Sequence, residues 1–250
     1  MGLLGGSWHG RLTAIAVVCA CVALLATVPG VGEAEARPNT RAKLRTEDKK
    51  EGFRWCRLQK AKSFLKRENF VKNGQLQGRL HQRAVKYRVE RYGHIDGLGF
   101  EKLNSKSAFS QAVPARFMGL PLSVHQKIVP ALACVERRIQ KTCKKKSQSY
   151  TARAVGGFRG ANSYRGGEVS NHLFGTAIDI DPEKNPCCGC VDPWPNNPRC
   201  AQGKSVWDKT SLPRCWVDAF ERYGFYWLGR DQLEDTMHFE FLGDPDRILP

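Results

Sequence analysis

The chain has 250 residues and a formal net charge of +16. Residues 41–150 carry 27 Lys or Arg and 8 Asp or Glu, a net charge of +19, whereas residues 151–250 carry 11 and 14, a net charge of −3. The basic excess therefore lies before the last hundred residues and suits a polyanion such as a cell-surface polymer. For any single cluster, such as residues 144–146, a solvated helix face is the alternative.

The N-terminus has the pattern of an export leader. Arg11 precedes an uncharged run, residues 12–28, and the small residues Ala34 and Ala36 form a cleavage signal. We expect a signal peptide over residues 1–36 and export to the periplasm or the extracellular space. An uncleaved anchor is the alternative, because the run approaches the length of about 20 residues that spans a bilayer. Export and the lack of a recognisable nucleic-acid recognition element argue against nucleic acid as the partner.

Helical periodicity dominates the first half of the mature chain. Residues 53–92 carry two apolar stripes, separated at Asn73 and Gly74, and the Gly-rich residues 93–99 end this region. We therefore predict a basic helical extension over residues 37–99 and a second domain over residues 100–250. In that domain a further stripe runs from Val124 to Ile139, and Pro130 must mark the start or a kink of its helix.

Short alternating segments follow. Residues 150–155 and 176–181 alternate in the manner of strands, and the polar, Gly-ended residues 170–175 predict a loop before the second of them. Residues 235–241 alternate again, after a short helix at 216–223. The expected fold is α+β: a small antiparallel sheet with packed helices carries the site described next, and the basic helical region precedes it.

Three side chains on these segments have the chemistry of a metal site. His172 lies in the loop that enters the 176–181 strand, Asp179 points from that strand, and His238 lies on the 235–241 strand. Two imidazoles and a carboxylate are ligands that zinc prefers, and three protein ligands leave one position open for water, as in catalytic sites. Asp235 enters the last strand three residues before His238, where it is placed to accept a proton. Glu240 shares a strand face with His238, so it is expected to support that imidazole, with Asp181 as a further supporting carboxylate.

The two motifs resemble a known family. Ser-x-His-x-x-Gly-x-Ala-x-Asp at residues 170–179 and Asp-x-x-His-Phe-Glu at residues 235–240 are similar to the zinc peptidases of bacterial cell walls. These are the VanY-type D-alanyl-D-alanine carboxypeptidases and the L-alanyl-D-glutamate endopeptidases, whose metal site hedgehog domains share. The resemblance covers roughly the second half of the chain. It implies Zn²⁺ on His172, Asp179 and His238, with Asp235 as the general base; many relatives carry Glu there, and Asp is usual in the endopeptidase branch.

The same resemblance implies an arginine that faces the substrate carbonyl. Arg159 is the best candidate, with Arg165 and Arg153 behind it, and Arg165 and Ser170 are assigned to substrate binding. A surface arginine is the alternative for Arg159, and a loop cap is the alternative for Ser170.

The implied function is that of an exported zinc metallopeptidase that hydrolyses amide bonds in the stem peptides of peptidoglycan. Trimming of a terminal D-Ala and cleavage inside the stem both stay open, and Asp235 slightly favours the second. Hedgehog domains resemble these peptidases and keep zinc without evident peptidase duty, so a secreted, non-catalytic binding module for surface polyanions is the alternative.

Eight cysteines follow the leader, and an even number in an exported chain implies up to four disulfides. Five of them lie between residues 187 and 215, where they would staple an irregular, Pro- and Asn-rich insertion at the rim of the cleft. Cys134 and Cys143 are close enough in sequence to pair, and a structural zinc site at residues 187–190 is the alternative to disulfides there. The eight are Cys56, Cys134, Cys143, Cys187, Cys188, Cys190, Cys200 and Cys215.

Overall fold

A four-stranded antiparallel sheet organises the structure, a computed structural model that describes residues 56–144, 148–162, 166–191 and 194–247. Its strand order is β5-β6-β8-β7, and the strands are β5 (Val155–Gly156), β6 (Ala177–Ile180), β7 (Phe225–Trp227) and β8 (His238–Phe241). Two hairpins accompany the sheet: β1 (Val71–Lys72) with β2 (Gln75–Leu76), and β3 (Ala112–Phe117) with β4 (Leu120–His125). Within the described ranges four α-helices complete the α+β fold that the sequence predicts: α1 (Arg67–Phe70), α2 (Gly78–Tyr92), α3 (Val129–Thr142) and α4 (Arg214–Arg222).

The strand alternation sorts the sheet into an apolar face and a polar face. Ile178 and Ile180 of β6 and Phe239 of β8 are fully buried in the main hydrophobic core, as their alternation predicts. Phe239 stacks on Phe220 of α4 with ring centroids 4.0 Å apart. The opposite face of the same two strands carries the polar residues of the site, so the packing of one face fixes the position of the other.

The helix predicted near residues 124–139 forms as α3, and Pro130 lies in its first turn, where the missing amide hydrogen costs nothing. Val124, at the start of the predicted stripe, belongs to β4 instead. His125 is buried: its Nε2 lies 3.0 Å from the Tyr92 carbonyl oxygen, and its Nδ1 accepts a hydrogen bond from the Lys127 amide. It is therefore a histidine of the core whose two ring nitrogens are both held by the protein.

The first apolar stripe does not form the helix that the sequence predicts. Residues 56–66 contain one short 3-10 turn, Ser63–Leu65. The amide of Gln59 donates to the carbonyl of Arg222 at the end of α4, and that of Lys62 to the carbonyl of Leu242 just after β8, so these backbone groups bond to distant segments and not within a helix of their own. Only the second stripe becomes a helix, α2, and the predicted break at Asn73 and Gly74 is the turn of the β1–β2 hairpin.

The strand predicted at residues 150–155 is also shorter than expected. Only Val155 and Gly156 pair with β6. The amides of Arg153 and Ala154 donate to the carboxylate of Asp181 instead, at 2.8 and 2.7 Å. A side chain thus takes the place of a neighbouring strand at this edge.

Four disulfides join the eight described cysteines. Cys56 pairs with Cys134 and Cys143 with Cys215, so Cys134 and Cys143, although close enough in sequence, do not pair with each other. Both bonds tie α3 to distant segments. Cys187–Cys190 and Cys188–Cys200 lie within the irregular insertion, as predicted for that region.

Among the helices that the structure describes, none combines the length and the hydrophobicity needed to cross a bilayer. The predicted signal peptide and the alternative of an anchor concern residues 1–36, which lie outside the described residues.

Candidate metal centre

Three side chains from three elements meet on the polar face of the sheet. His172 lies in a 3-10 turn, Asn171–Phe174, that ends at Gly175 in a left-handed conformation with φ 65°. Asp179 and His238 are direct cross-strand partners in the β6–β8 pair, so the sheet register alone places them opposite each other. All three are buried.

Their donor atoms converge. His172 Nε2 lies 3.1 Å from Asp179 Oδ2, and His238 Nδ1 lies 2.7 Å from Asp179 Oδ1. The two ring nitrogens are 3.1 Å apart. One donor atom of each residue thus lies within 4.8 Å of the others, a spacing that a single ion can bridge.

The other nitrogen of each imidazole is held by the protein. His172 Nδ1 donates to the Gly157 carbonyl oxygen at 2.6 Å, and His238 Nε2 donates to Glu240 Oε1 at 3.2 Å. When both rings are neutral, these contacts fix the tautomers, so that the lone pairs of His172 Nε2 and His238 Nδ1 face the centre. Acceptors behind ligand imidazoles are the usual support of a metal site, because they orient the ring and raise its basicity.

The electrostatics follow from burial and from the close opposite charges. Burial alone would raise the pKa of Asp179, but the charges and hydrogen bonds of His172 and His238 more than offset it and hold that pKa well below its ordinary value. Burial opposes the protonation of His238, yet the hydrogen bond to Asp179 and its negative charge raise the pKa of His238 well above the ordinary range. Burial prevails at His172, whose pKa is lowered.

Asp235 lies beside this set at the entrance of β8, buried and with no described partner for its Oδ1. Burial raises its pKa to about 7; the charge of His238 opposes this rise, and the carboxylates of Asp179 and Glu240 reinforce it. A buried carboxylate that lines a cleft, has an unpaired oxygen and has a pKa near neutrality has the properties of a general base.

Arg159 reaches the same cleft from the loop after β5. Its Nη1 lies 3.5 Å from Asp179 Oδ2, its side chain is 44% exposed, and its amide donates to the His172 carbonyl oxygen. Asp181, expected to support the ligands, instead binds the segment that precedes β5. Its carboxylate accepts from the Tyr150 hydroxyl at 2.6 Å and from the amides of Arg153 and Ala154. It thereby fixes the strand that leads to Arg159.

Ser170 caps the turn that carries His172. It is fully buried, and its hydroxyl accepts from the His172 amide at 3.3 Å. This contact is that of a loop cap; substrate binding by Ser170 stays a prediction. Arg165 lies outside the described residues.

The insertion after β6 forms the wall of the cleft, which has a volume of about 280 Å³. Trp194 faces the cleft, whereas Trp207 packs on Trp227 with ring centroids 4.6 Å apart. Cys187 and Cys190 also line it, but their sulfurs are bonded to each other, so the alternative of a zinc site at residues 187–190 is wrong. The lining residues are Arg159, Asp179, Pro182, Cys187, Cys190, Val191, Trp194, Asp235, Met237 and His238.

Gly157, whose carbonyl holds His172, was missed from the sequence. A Cβ atom there would lie 2.2 Å from the Ser123 carbonyl oxygen, so the backbone of this loop approaches β4 as only glycine allows. The Gly156–Gly157 doublet after the predicted 150–155 strand is the sequence feature that indicates this close backbone approach.

The donor set fits a divalent transition metal: two neutral imidazole lone pairs and one carboxylate converge, and a buried carboxylate with an unpaired oxygen lies beside them. With Arg159 in the same cleft, this is the arrangement of a metal-dependent hydrolase. Residues 164–241 match the family model described as D-alanyl-D-alanine carboxypeptidase. The match contains both motifs and confirms, for this segment, the resemblance seen in the sequence; it supports a peptidase. No match was found among curated proteins, and none was found among solved structures.

Proposed function

We propose that the protein is an exported zinc metallopeptidase that hydrolyses amide bonds in the stem peptides of peptidoglycan. The convergence of His172, Asp179 and His238 beside the unpaired oxygen of Asp235, inside an open cleft, carries this proposal. The family match supports the peptidase chemistry and, through the name of that family, a D-Ala-containing substrate. The four disulfides support an oxidising compartment.

In this mechanism His172, Asp179 and His238 hold the ion. Zinc bound there supplies a Lewis acid that polarises the scissile carbonyl and makes water acidic enough to attack at neutral pH. Asp235 accepts the proton of the attacking water and passes it to the leaving amine, a role that suits a pKa of about 7. Arg159 donates N–H groups to the carbonyl oxygen as it becomes negative. The two held imidazoles keep their lone pairs directed at the ion throughout.

The scissile bond is tested on purified peptidoglycan. The zinc-loaded mature protein is incubated with sacculi, and the soluble fragments are weighed by mass spectrometry. Loss of a single Ala identifies a carboxypeptidase, and loss of a longer piece identifies an endopeptidase. A chelator abolishes either product and zinc restores it, while His172→Ala gives none.

An inactive outcome is equally informative. Should the protein bind one zinc per chain and release no fragment, with its fold intact by circular dichroism, the hydrolase proposal is wrong. The non-catalytic binding module for surface polyanions then becomes the better description.

A further inference from the structure

A second groove lies on the outer face of α2. It is lined by Phe64, Arg79, Gln82, Arg83, Lys86, Tyr87 and Glu90, and it shares no residue with the metal cleft. A ligand in this groove would therefore contact none of the residues that line the metal cleft, and the inference below does not rest on the proposed peptidase function.

Helix periodicity creates this surface. Arg79, Arg83 and Lys86 follow one another at steps of four and three residues, which places them on one stripe over about 10 Å of helix axis. All three are exposed. The opposite face of α2, including Val85 and Val89, is buried in the main core, so the helix cannot rotate to hide the basic stripe.

An aromatic pair forms the wall of the groove. Phe64 and Tyr87 meet edge to face with ring centroids 5.4 Å apart. The Arg83 guanidinium lies 4.9 Å from the Phe64 ring centroid, a cation–π contact that restrains an otherwise mobile side chain. A guanidinium held in place by a ring keeps its N–H groups for an oxyanion and loses less entropy on binding one.

The acidic groups around the groove leave the basic stripe unneutralised. Asp244 pairs with Lys62 at 3.8 Å and Asp246 with Arg91, both at the Tyr87 end. Glu90 is the acidic lining residue. Within the described part of the chain, no carboxylate lies within ion-pair distance of Arg79, Arg83 or Lys86, so the stripe keeps a positive charge. Such a row of cations favours a ligand with repeated negative groups.

From this groove we infer a binding site for an acidic polysaccharide. The three cations bind its charged groups, and Gln82, which lies among them, offers an amide donor and an acceptor to the hydroxyl groups between those charges. A polyanion without hydroxyls, such as polyphosphate, can accept from the Gln82 amide nitrogen but offers no donor to its oxygen. The groove would hold the enzyme on an anionic glycan layer while the metal cleft acts elsewhere.

Binding is measured with heparin as the probe, by calorimetry over a series of salt concentrations. The triple variant Arg79→Gln/Arg83→Gln/Lys86→Gln should bind at least about tenfold more weakly and with a shallower dependence of log Kd on log salt, because fewer counterions are released. The matched control, Lys102→Gln/Lys106→Gln/Lys204→Gln, removes the same charge from exposed positions outside the groove. It should stay within about threefold of wild type.

Gln82→Leu tests the sugar component. It should weaken heparin binding by about fivefold, the value of one hydrogen bond, with the salt slope unchanged and a smaller effect on polyphosphate, which has no donor for the Gln82 oxygen. Equal weakening by both triple variants would show diffuse charge attraction and overturn the groove. Equal affinity for heparin, polyphosphate and single-stranded DNA, with no effect of Gln82→Leu, would overturn the polysaccharide assignment. Each outcome is independent of peptidase activity.

Discussion

Two aspartates of the same cleft have pKa values that are shifted in opposite directions. Asp179 lies between two imidazoles and stays ionised, as a ligand must, whereas Asp235 has no such partner and burial raises its pKa to about 7. These opposite shifts suit the proposed roles, a permanently charged ligand for Asp179 and a proton acceptor near neutral pH for Asp235.

Asp235→Asn isolates the proton-accepting role. The amide keeps the volume of the side chain but cannot accept a proton, so kcat on a stem peptide should fall by about 10²–10⁴-fold. Zinc content, measured by atomic absorption, should remain one per chain because the three ligands are intact. Asp218→Asn, an exposed position on α4, serves as the control and should keep full activity. Full activity of Asp235→Asn would mean that the base is another group, with Glu240 as the first candidate.

Glu240 acts through His238. Replacing it with Gln removes a negative charge that the protonated Nε2 of His238 faces at 3.2 Å, so the ring becomes a weaker ligand. We expect zinc affinity, measured by competition with a chelating indicator, to fall by about 10–100-fold. Glu221→Gln removes a carboxylate that pairs with Arg230 at the surface and should leave zinc affinity unchanged. An unchanged affinity in Glu240→Gln would show that this contact does not tune the ligand.

At the scale of elements, His125 links the end of β4 to the end of α2. Burial lowers its pKa to about 4, from an ordinary value of about 6.5. Between these values the unfolded chain binds a proton that the folded chain refuses, so the free energy of unfolding falls as the pH drops from 6.5 to 4. The loss is about 3 kcal/mol, and stability is full above pH 6.5.

His125→Asn removes this titration. Asn keeps an acceptor for the Lys127 amide but does not reach the Tyr92 carbonyl, so at pH 7 the variant should be less stable by about 1 kcal/mol. On acidification its free energy of unfolding, measured in urea, should fall less than that of wild type, so that the two cross at about pH 6 and the variant is the more stable by about 2 kcal/mol at pH 4. Both proteins are measured with chelator present, which keeps metal loss from contributing. Parallel pH profiles would contradict the assignment.

The elements that the sequence predicted well are those whose pattern and packing agree. Alternation located β6 and β8 because one face of each meets the core, and Pro130 marked the start of α3 because proline fits the first turn. The apolar spacing of residues 56–66 predicted a helix that does not form. Gln59 and Lys62 instead bond to residues 222 and 242, and local periodicity cannot reveal such distant partners. Residue types and motifs pointed to His172, Asp179 and His238, which the structure brings together; the hydrogen bond from His172 to a backbone carbonyl was not foreseeable from the sequence.

At the scale of the whole molecule, disulfides connect distant segments. Cys56–Cys134 and Cys143–Cys215 close intervals of 78 and 72 residues, whereas Cys188–Cys200 closes 12. In the chain-entropy view the long intervals contribute about 4 kcal/mol each and the short one about 3 kcal/mol. The long pairs thus stabilise the fold, and the short pair shapes the wall of the cleft.

Two double variants separate these roles. Cys56→Ala/Cys134→Ala should lower the free energy of unfolding by about 4 kcal/mol, measured in urea, with KM nearly unchanged. Cys188→Ala/Cys200→Ala frees the insertion that carries Trp194 and should raise KM more than it lowers kcat. Thiol titration of the denatured, unreduced mature protein should find none of the eight cysteines free. Free thiols would contradict the four disulfides. A raised KM in the Cys56→Ala/Cys134→Ala variant alone would mean that the long pair, and not the short one, shapes the cleft.

The close approach of residue 157 to the neighbouring hairpin has a consequence for how such proteins are surveyed. The backbone that steadies the first imidazole has no room for even a methyl group, since that carbon would collide with the oxygen of Ser123. A homologue could therefore retain every metal-binding side chain and still lose its ion through a single alanine at this place. A survey of homologues that checks only the metal-ligating residues would wrongly classify that protein as able to bind the ion.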